Sequence, residues 1–142
     1  MPVTIDSTRF GTLEISDEAV VDFPNGLIGL GGTRYTLLVR EESAPFLWLH
    51  SIDDPSLALP VTNPGLFFPD YEPEIDDETV ARLDLGSADD ALLLVIVTVA
   101  KPIEASTANL LGPIVVNRHT RAAAQAVLSN SGYATREALV RP

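Results

Sequence analysis

Short apolar segments, separated by frequent glycine, proline and aspartate, follow one another along most of the chain. Residues 10–15 (FGTLEI) alternate between two sets of side chains, which predicts a half-buried strand. By the same criteria we predict further strands at 19–23, 34–40, 46–52, 57–61, 91–100 and 110–117. This spacing of short strands and turn residues is typical of an antiparallel β fold.

Three segments need a separate assignment. Residues 91–100 (ALLLVIVTVA) predict a strand buried on both faces, although periodicity alone also permits a buried helix. Residues 76–83 predict a short helix, with Asp76 or Asp77 as the N-cap and Arg82 near its end. Residues 135–140 favour a second short helix.

Residues 121–128 (RAAAQAVL) are ambiguous, because their composition favours helix by intrinsic propensity. The chain shows no internal repeat, linker or low-complexity segment. With 142 residues it has the usual length of one domain, and we predict a mostly β single domain over residues 1–142.

Composition restricts the compartment and the chemistry. The chain has no cysteine, which excludes disulfides and thiolate sites and suits a reducing compartment. Its N-terminus lacks a basic region followed by an apolar run, so we predict no secretory signal. The apolar runs reach about half of the ~20 residues that a membrane helix needs. The expectation is a soluble, cytoplasmic protein without a membrane partner.

Charge is unevenly distributed along the chain. Residues 1–100 hold 18 acids and 4 bases, whereas residues 101–142 hold 2 acids and 5 bases, for a net charge of −11. Phosphate contacts dominate nucleic-acid affinity. The large negative charge of this chain therefore disfavours direct binding of RNA or DNA. It suits a basic protein partner better, although acidity can also serve solubility alone.

Signatures of catalysis are absent from the sequence. The glycine-rich segment 29–31 lacks the third glycine of a dinucleotide fingerprint, since position 34 is Arg34, and no phosphate loop occurs. Neither His50 nor His119 has a second ligand at metal-binding spacing. His50 and Ser51 point to opposite faces of a strand, which argues against a catalytic triad and favours a hydrogen-bonding role for His50. We predict no enzyme and no cofactor.

The stretch DYEPEIDDE at 70–78 contains six acidic side chains within nine positions. A calcium loop beginning at Asp70 would need glycine at its sixth position and glutamate at its twelfth, where the chain has Ile75 and Ala81. A metal site is therefore disfavoured. Apolar and aromatic residues interleave with the acids, which suits either a protein interface or a core segment with solvated acids. These residues are Leu66, Phe67, Phe68, Pro69, Tyr71 and Ile75.

Residues 106–128 resemble the signature of the flagellar assembly factor family, FliW. The matching positions are Thr107, Asn109, Leu110, Gly112, Pro113, Ile114, Val115, Val116, Asn117 and Gln125. Segments 23–30, 45–53 and 63–75 match further family motifs in the same order, and Tyr133 and Arg136 follow. The chain departs from the pattern at Leu30, His50 and Val116, of which only His50 exchanges an amide for a titratable ring.

The resemblance implies a non-enzymatic protein with an antiparallel, barrel-like β fold, in which residues 121–128 form a strand. It also implies two protein partners, the RNA-binding translational repressor CsrA and flagellin. We expect the partner-binding residues at Phe68, Asp70, Tyr71, Glu72, Glu74, Asp76, Asp77, Asn109 and Asn117. For Asn109 and Asn117 a turn-fixing role is the stronger alternative. The competing function is a small-ligand-binding β-barrel, for which 91–100 offers only Thr98 as a polar inward-facing group.

Overall fold

The computed structural model describes residues 3–24, 26–27, 33–43, 45–128 and 131–139. In these residues the chain forms one α-helix, α1 (Asp77–Arg82), and eleven strands. The strands are β1 (Val3–Ser7), β2 (Gly11–Ile15), β3 (Val20–Asp22), β4 (Arg34–Val39), β5 (Leu47–Ser51), β6 (Ala58–Thr62), β7 (Ala91–Thr98), β8 (Thr107–Ala108), β9 (Ile114–Asn117), β10 (Ala123–Gln125) and β11 (Glu137–Ala138).

The main sheet is antiparallel and has the strand order β10-β9-β7-β6-β5-β4-β3. Strand β8 pairs with the end of β7 and with β11, and β1 and β2 form a separate hairpin. The two end strands of the main sheet meet at a single parallel bridge between Asp22 and Ala122. There the Asp22 N–H donates to the Arg121 carbonyl at 3.0 Å. The fold is therefore mostly β and barrel-like, as expected.

The main core lies on one face of this curved sheet. Alternation places one set of side chains from each of the seven strands of the main sheet on that face, and Phe23, Tyr35, Leu49, Val61 and Ile114 are fully buried there. Their burial removes apolar surface from water, which is the main favourable contribution to folding. Two smaller clusters lie on the other side of β7 and β9.

The strand predictions are confirmed for all seven segments, with the last one shortened to β9. Residues 91–100 contain β7 and no helix. Its neighbours Leu94 and Val95 point to opposite faces and are both buried, so the centre of this strand is covered on both sides. Strand β1 was not predicted, because its polar residues outnumber its apolar ones.

The helix predictions fare differently. Helix α1 is confirmed with Asp76 as N-cap, whose carboxylate accepts the Thr79 hydroxyl at 2.5 Å. The helix over 135–140 is wrong, since this segment contains β11. Pairing with β8 satisfies its backbone, and Leu139 is buried in the cluster beside β7. Local propensity yields here to a tertiary contact.

Residues 121–128 contain strand β10, as the resemblance implies and against their alanine content. Ala123 and Ala126 are almost fully buried, so the small side chains permit close packing that larger helix formers would prevent. The glycine segment 29–31 lies outside the described residues, as do positions 25 and 28–30 of the family match at 23–30. Within the described part of the chain, no helix has the length and apolarity to cross a membrane.

Candidate partner-binding site

The acidic segment, residues 70–78, begins as an extended chain and ends in α1. From position 70 to position 76 its side chains alternate regularly between exposed and half-buried. The acids Asp70, Glu72, Glu74 and Asp76 are exposed, whereas Tyr71, Pro73 and Ile75 are half-buried. An extended backbone that rests on the protein along one side produces this alternation. The segment therefore presents a row of carboxylates outward and anchors itself through the residues between them.

Tyr71 is the main anchor of this segment. Its hydroxyl donates to the Leu110 carbonyl at 2.6 Å, and its ring packs edge-on against Tyr133 with centroids 4.7 Å apart. The Tyr133 hydroxyl in turn accepts the Glu72 N–H at 3.2 Å. Burial, with a smaller contribution from Tyr133, raises the pKa of Tyr71 well above its usual value. Tyr71 thus stays a neutral donor and fixes the backbone that carries the acids.

Cations are scarce around these carboxylates. Within residues 70–90 there are nine acids and one base, Arg82, which pairs with Glu78 at 2.7 Å one turn earlier in α1. No ion pair involves Asp70, Glu72, Glu74 or Asp77 among the residues that the structure describes. Their charge is directed to solvent, where it can act on a basic partner.

Two depressions flank the acidic segment. The first, which we call the aromatic cleft, has a volume of about 390 Å³. Its walls include Phe67, Phe68, Tyr71, Leu110, Tyr133 and Glu137. The second, which we call the apolar groove, has a volume of about 440 Å³ and lies between α1 and strands β7 and β9. Its walls include Pro73, Ile75, Val80, Leu85, Leu93 and Val115.

The apolar groove was not predicted, although the sequence contains one signal for it. The inward positions 71, 73 and 75 alternate with acids, which indicates an extended segment lying on an apolar surface. Leu93 and Val115 of the groove come from strands that are distant in sequence from this segment. Only the fold shows that they meet it.

Phe68 belongs to the core more than to the surface. Its side chain is 3% exposed and packs in the cluster with Val95, Val97 and Leu110, so its role in the site is limited to the wall of the aromatic cleft. Phe67 is half-buried and stacks on Phe46 with ring centroids 6.0 Å apart. The core alternative therefore holds for Phe68.

Asn117 lies inside the protein at the end of β9, with 2% of its surface exposed. Its Nδ2 donates to the Leu83 carbonyl at 2.7 Å, which ties β9 to the end of α1. Its Oδ1 accepts the N–H groups of His119 and Thr120 at 2.8 and 3.1 Å, which fixes the turn before β10. With both ends of its amide occupied, Asn117 supports the turn-fixing alternative.

Asn109 has a similar local role. Its Oδ1 accepts the Gly112 N–H at 2.9 Å, and the Gln125 Nε2 donates to the Gly112 carbonyl at 3.0 Å. A Cβ at position 112 would lie 3.0 Å from Gln125 Nε2 and 3.2 Å from Asn109 Nδ2. Three positions of the family signature thus form one contact, in which the small residue allows two amides to approach the same backbone.

His50 is fully buried, so it contributes to packing and not to an exposed surface. Its Nδ1 lies 2.7 Å from the Ser51 carbonyl, which can only accept, so Nδ1 carries the proton. The other nitrogen, Nε2, then accepts from the Ser7 hydroxyl at 2.7 Å and connects β5 to the β1–β2 hairpin. The hydrogen-bonding role predicted for His50 is confirmed.

Metal binding finds no support in the described ranges, where no group of three or more histidine, cysteine, aspartate or glutamate side chains is arranged to hold an ion. His119 contacts Asp90 at 3.0 Å as a pair at the surface. The site is thus a set of carboxylates beside aromatic and aliphatic depressions, an arrangement that suits protein recognition.

Comparison with known proteins gives a consistent result. The model of the FliW protein family matches residues 4–139. The flagellar assembly factors FliW of Bacillus licheniformis and Bacillus subtilis are both 38% identical to this chain, over 134 and 133 residues. The first match covers 94% of each chain and the second covers 93% of each.

The fold is also similar to that of a solved structure. The crystal structure of a flagellar assembly factor FliW superposes with a TM-score of 0.92 at 36% identity and covers 98% of both chains. Fold, sequence and the order of the motifs therefore point the same way. The chain belongs to the FliW family of flagellar assembly factors.

Proposed function

We propose that this protein is a cytoplasmic, non-enzymatic regulator that binds the translational repressor CsrA and displaces it from flagellin mRNA. We further propose that it binds flagellin, so that export of flagellin frees it to bind the repressor. The observation that carries the proposal is a row of exposed carboxylates on an anchored backbone, which have no cationic partner among the described residues. The link to flagellar assembly comes from membership of the FliW family.

The charge of the acidic segment suits an RNA-binding partner. A protein that binds RNA must present basic surface, and an acidic surface accelerates its association by electrostatic steering. Carboxylates held beside that surface also repel RNA phosphates within about one Debye length, ~8 Å at physiological salt. The same side chains would thus attract the repressor and oppose its RNA.

Apolar contacts would supply most of the residual affinity. Exposed charges contribute mainly to association rate, whereas aromatic and aliphatic anchors determine how slowly a complex dissociates. Tyr71 and Phe67 lie beside the acids at the aromatic cleft. Because the Tyr71 hydroxyl is already bonded to Leu110, its ring is held in place before a partner arrives.

The test compares two charge-neutralised variants of equal net charge. The site variant carries Asp70→Asn, Glu72→Gln and Glu74→Gln, and the control variant carries Glu14→Gln, Glu18→Gln and Glu104→Gln at exposed positions elsewhere. We leave Asp76 intact because it caps α1. Binding of purified CsrA-type repressor is measured by surface plasmon resonance at several salt concentrations, and RNA displacement by gel shift.

We expect the site variant to associate at least about 10-fold more slowly at low salt, with a weaker salt dependence and less RNA displacement. The control variant should stay close to wild type. Equal rates, salt dependence and RNA displacement in both variants and wild type would refute the proposed site.

A further inference from the structure

The apolar groove is an opening in a core cluster. Leu83, Val115, Ala126 and Leu128 form the buried part of this cluster, and half-buried side chains extend it toward the groove. Helix α1 has only six residues, and beside it the groove stays open between Ile75, Val80 and Leu93 of β7. An apolar depression that remains in contact with water is a frequent feature of sites that receive a side chain from a partner.

Charge indicates what kind of partner fits this groove. Seven of the residues that line it come from positions 73–88, within the interval 70–90. That interval has nine acids and one base, a net charge of −8 out of −11 for the whole chain. The neighbours of the lining residues Pro73 and Ile75 are Glu72, Glu74 and Asp76, all exposed. An apolar floor with an acidic rim complements an aliphatic side chain flanked by lysine or arginine.

We propose that the apolar groove receives an aliphatic side chain from a basic segment of a protein partner, whose flanking lysine or arginine side chains meet the rim carboxylates. This inference rests on the proposed function and specifies the surface that its partner presents. The groove volume of about 440 Å³ is near the lower end of the ~300–1,000 Å³ usual for ligand sites. It accommodates one or two side chains and no complete helix.

The first experiment fills the groove with a bulky side chain. Ala88 is exposed, lines the groove and begins a 3-10 turn; Ala105 is exposed, ends a 3-10 turn and lies outside the groove lining. We expect Ala88→Trp to weaken binding of the purified repressor by about 10-fold, chiefly through faster dissociation and with unchanged salt dependence. Ala105→Trp should bind like wild type. Circular dichroism confirms that both variants fold.

The variants separate failure of this inference from failure of the proposed function. If Ala88→Trp binds like wild type while the Asp70→Asn, Glu72→Gln, Glu74→Gln variant binds weakly, the groove inference is overturned and the proposed function stands. If the neutralised variant also binds like wild type, the acidic site of the proposed function is refuted.

The second experiment requires no repressor and no substitution. Two synthetic peptides of equal length and charge, one alternating lysine with leucine and the other lysine with serine, are titrated into wild-type protein. Methyl resonances of Ile75, Leu93 and Val115 are followed by NMR. We expect shifts with the lysine–leucine peptide only. Absence of these shifts, or equal shifts with the lysine–serine peptide, overturns the inference.

Discussion

The acidic segment at 70–78 and the signature segment at 106–128 contact each other, yet they differ in almost every respect. The Tyr71 hydroxyl reaches Leu110, and the Asn117 amide reaches Leu83 just after α1. Residues 112–117 are all buried, whereas every acid from 70 to 78 is exposed. The residues by which the family is recognised thus fix the interior, and the proposed binding groups lie on the segment that this interior supports. A match to the family signature therefore gives little information about which surface binds a partner.

The largest loss of stability is expected at Asn117. Replacing it with alanine removes the bonds to Leu83, His119 and Thr120, so the buried Leu83 carbonyl and two partly buried N–H groups of the turn lose this partner. We expect Asn117→Ala to lower the free energy of unfolding by about 2–4 kcal/mol. Urea denaturation measures this loss.

Repressor affinity provides the control for this variant. At temperatures where Asn117→Ala remains folded, we expect its affinity to change by less than about 3-fold, which corresponds to less than 1 kcal/mol. A large loss of affinity with little loss of stability would instead make Asn117 a contact residue.

A smaller effect is expected at Gly112. An alanine there must displace the Gln125 or Asn109 side chain by a few tenths of an ångström, which weakens both amide contacts. We expect Gly112→Ala to cost about 1 kcal/mol of unfolding free energy. In the double variant Gly112→Ala, Gln125→Ala the loss at position 112 should shrink, as a double-mutant cycle would show. Strict additivity would contradict the proposed contact.

For the acidic segment we expect the opposite result on stability. The Asp70→Asn, Glu72→Gln, Glu74→Gln variant removes exposed charges of one sign, which relieves mutual repulsion. Its free energy of unfolding should differ from wild type by less than about 0.5 kcal/mol per site, toward higher stability. Thermal denaturation measures it. A clear destabilisation would show that these acids support the fold and would remove the contrast between the two segments.

The smallest expected effect is the pH dependence of the stability that Asp90 contributes. Hydrogen bonds from the His119 side chain and from the Gly86 and Ser87 N–H groups lower the pKa of Asp90 below its usual 3.8. A carboxyl group with a lowered pKa stabilises the folded state above its unfolded pKa, and this contribution disappears as pH falls through the folded value. The stability difference between wild type and Asp90→Asn should therefore shrink as the pH falls from about 5 to about 3.

Asp89 provides the matched control, because it is exposed in the same 3-10 turn. Asp89→Asn removes one charge from this turn and leaves the hydrogen bonds of Asp90 in place, so it isolates the effect of net charge. A difference for Asp90→Asn that stays constant over the range would contradict the role given to its hydrogen bonds.

Much of the sheet could be predicted because alternation in residues 10–15, 34–40 and 46–52 is a local property of the sequence. The helix predicted at 135–140 failed because β11 exists only through its pairing with β8. The same limit applies to the site. The acids from 70 to 77 are visible in the sequence, whereas the apolar groove requires Leu93 and Val115 to meet Ile75, which only the fold determines.

The bridge between Asp22 and Ala122 also has a consequence for the order of folding. It joins the two ends of the main sheet, so forming it requires closure of a loop that contains all the other strands of that sheet. Loop-closure entropy makes such a contact favourable only after the intervening hairpins have formed. We therefore expect this bridge to form last during folding and to open first. In native-state hydrogen exchange the amide of Asp22 should exchange faster than that of Leu49, in the centre of the sheet.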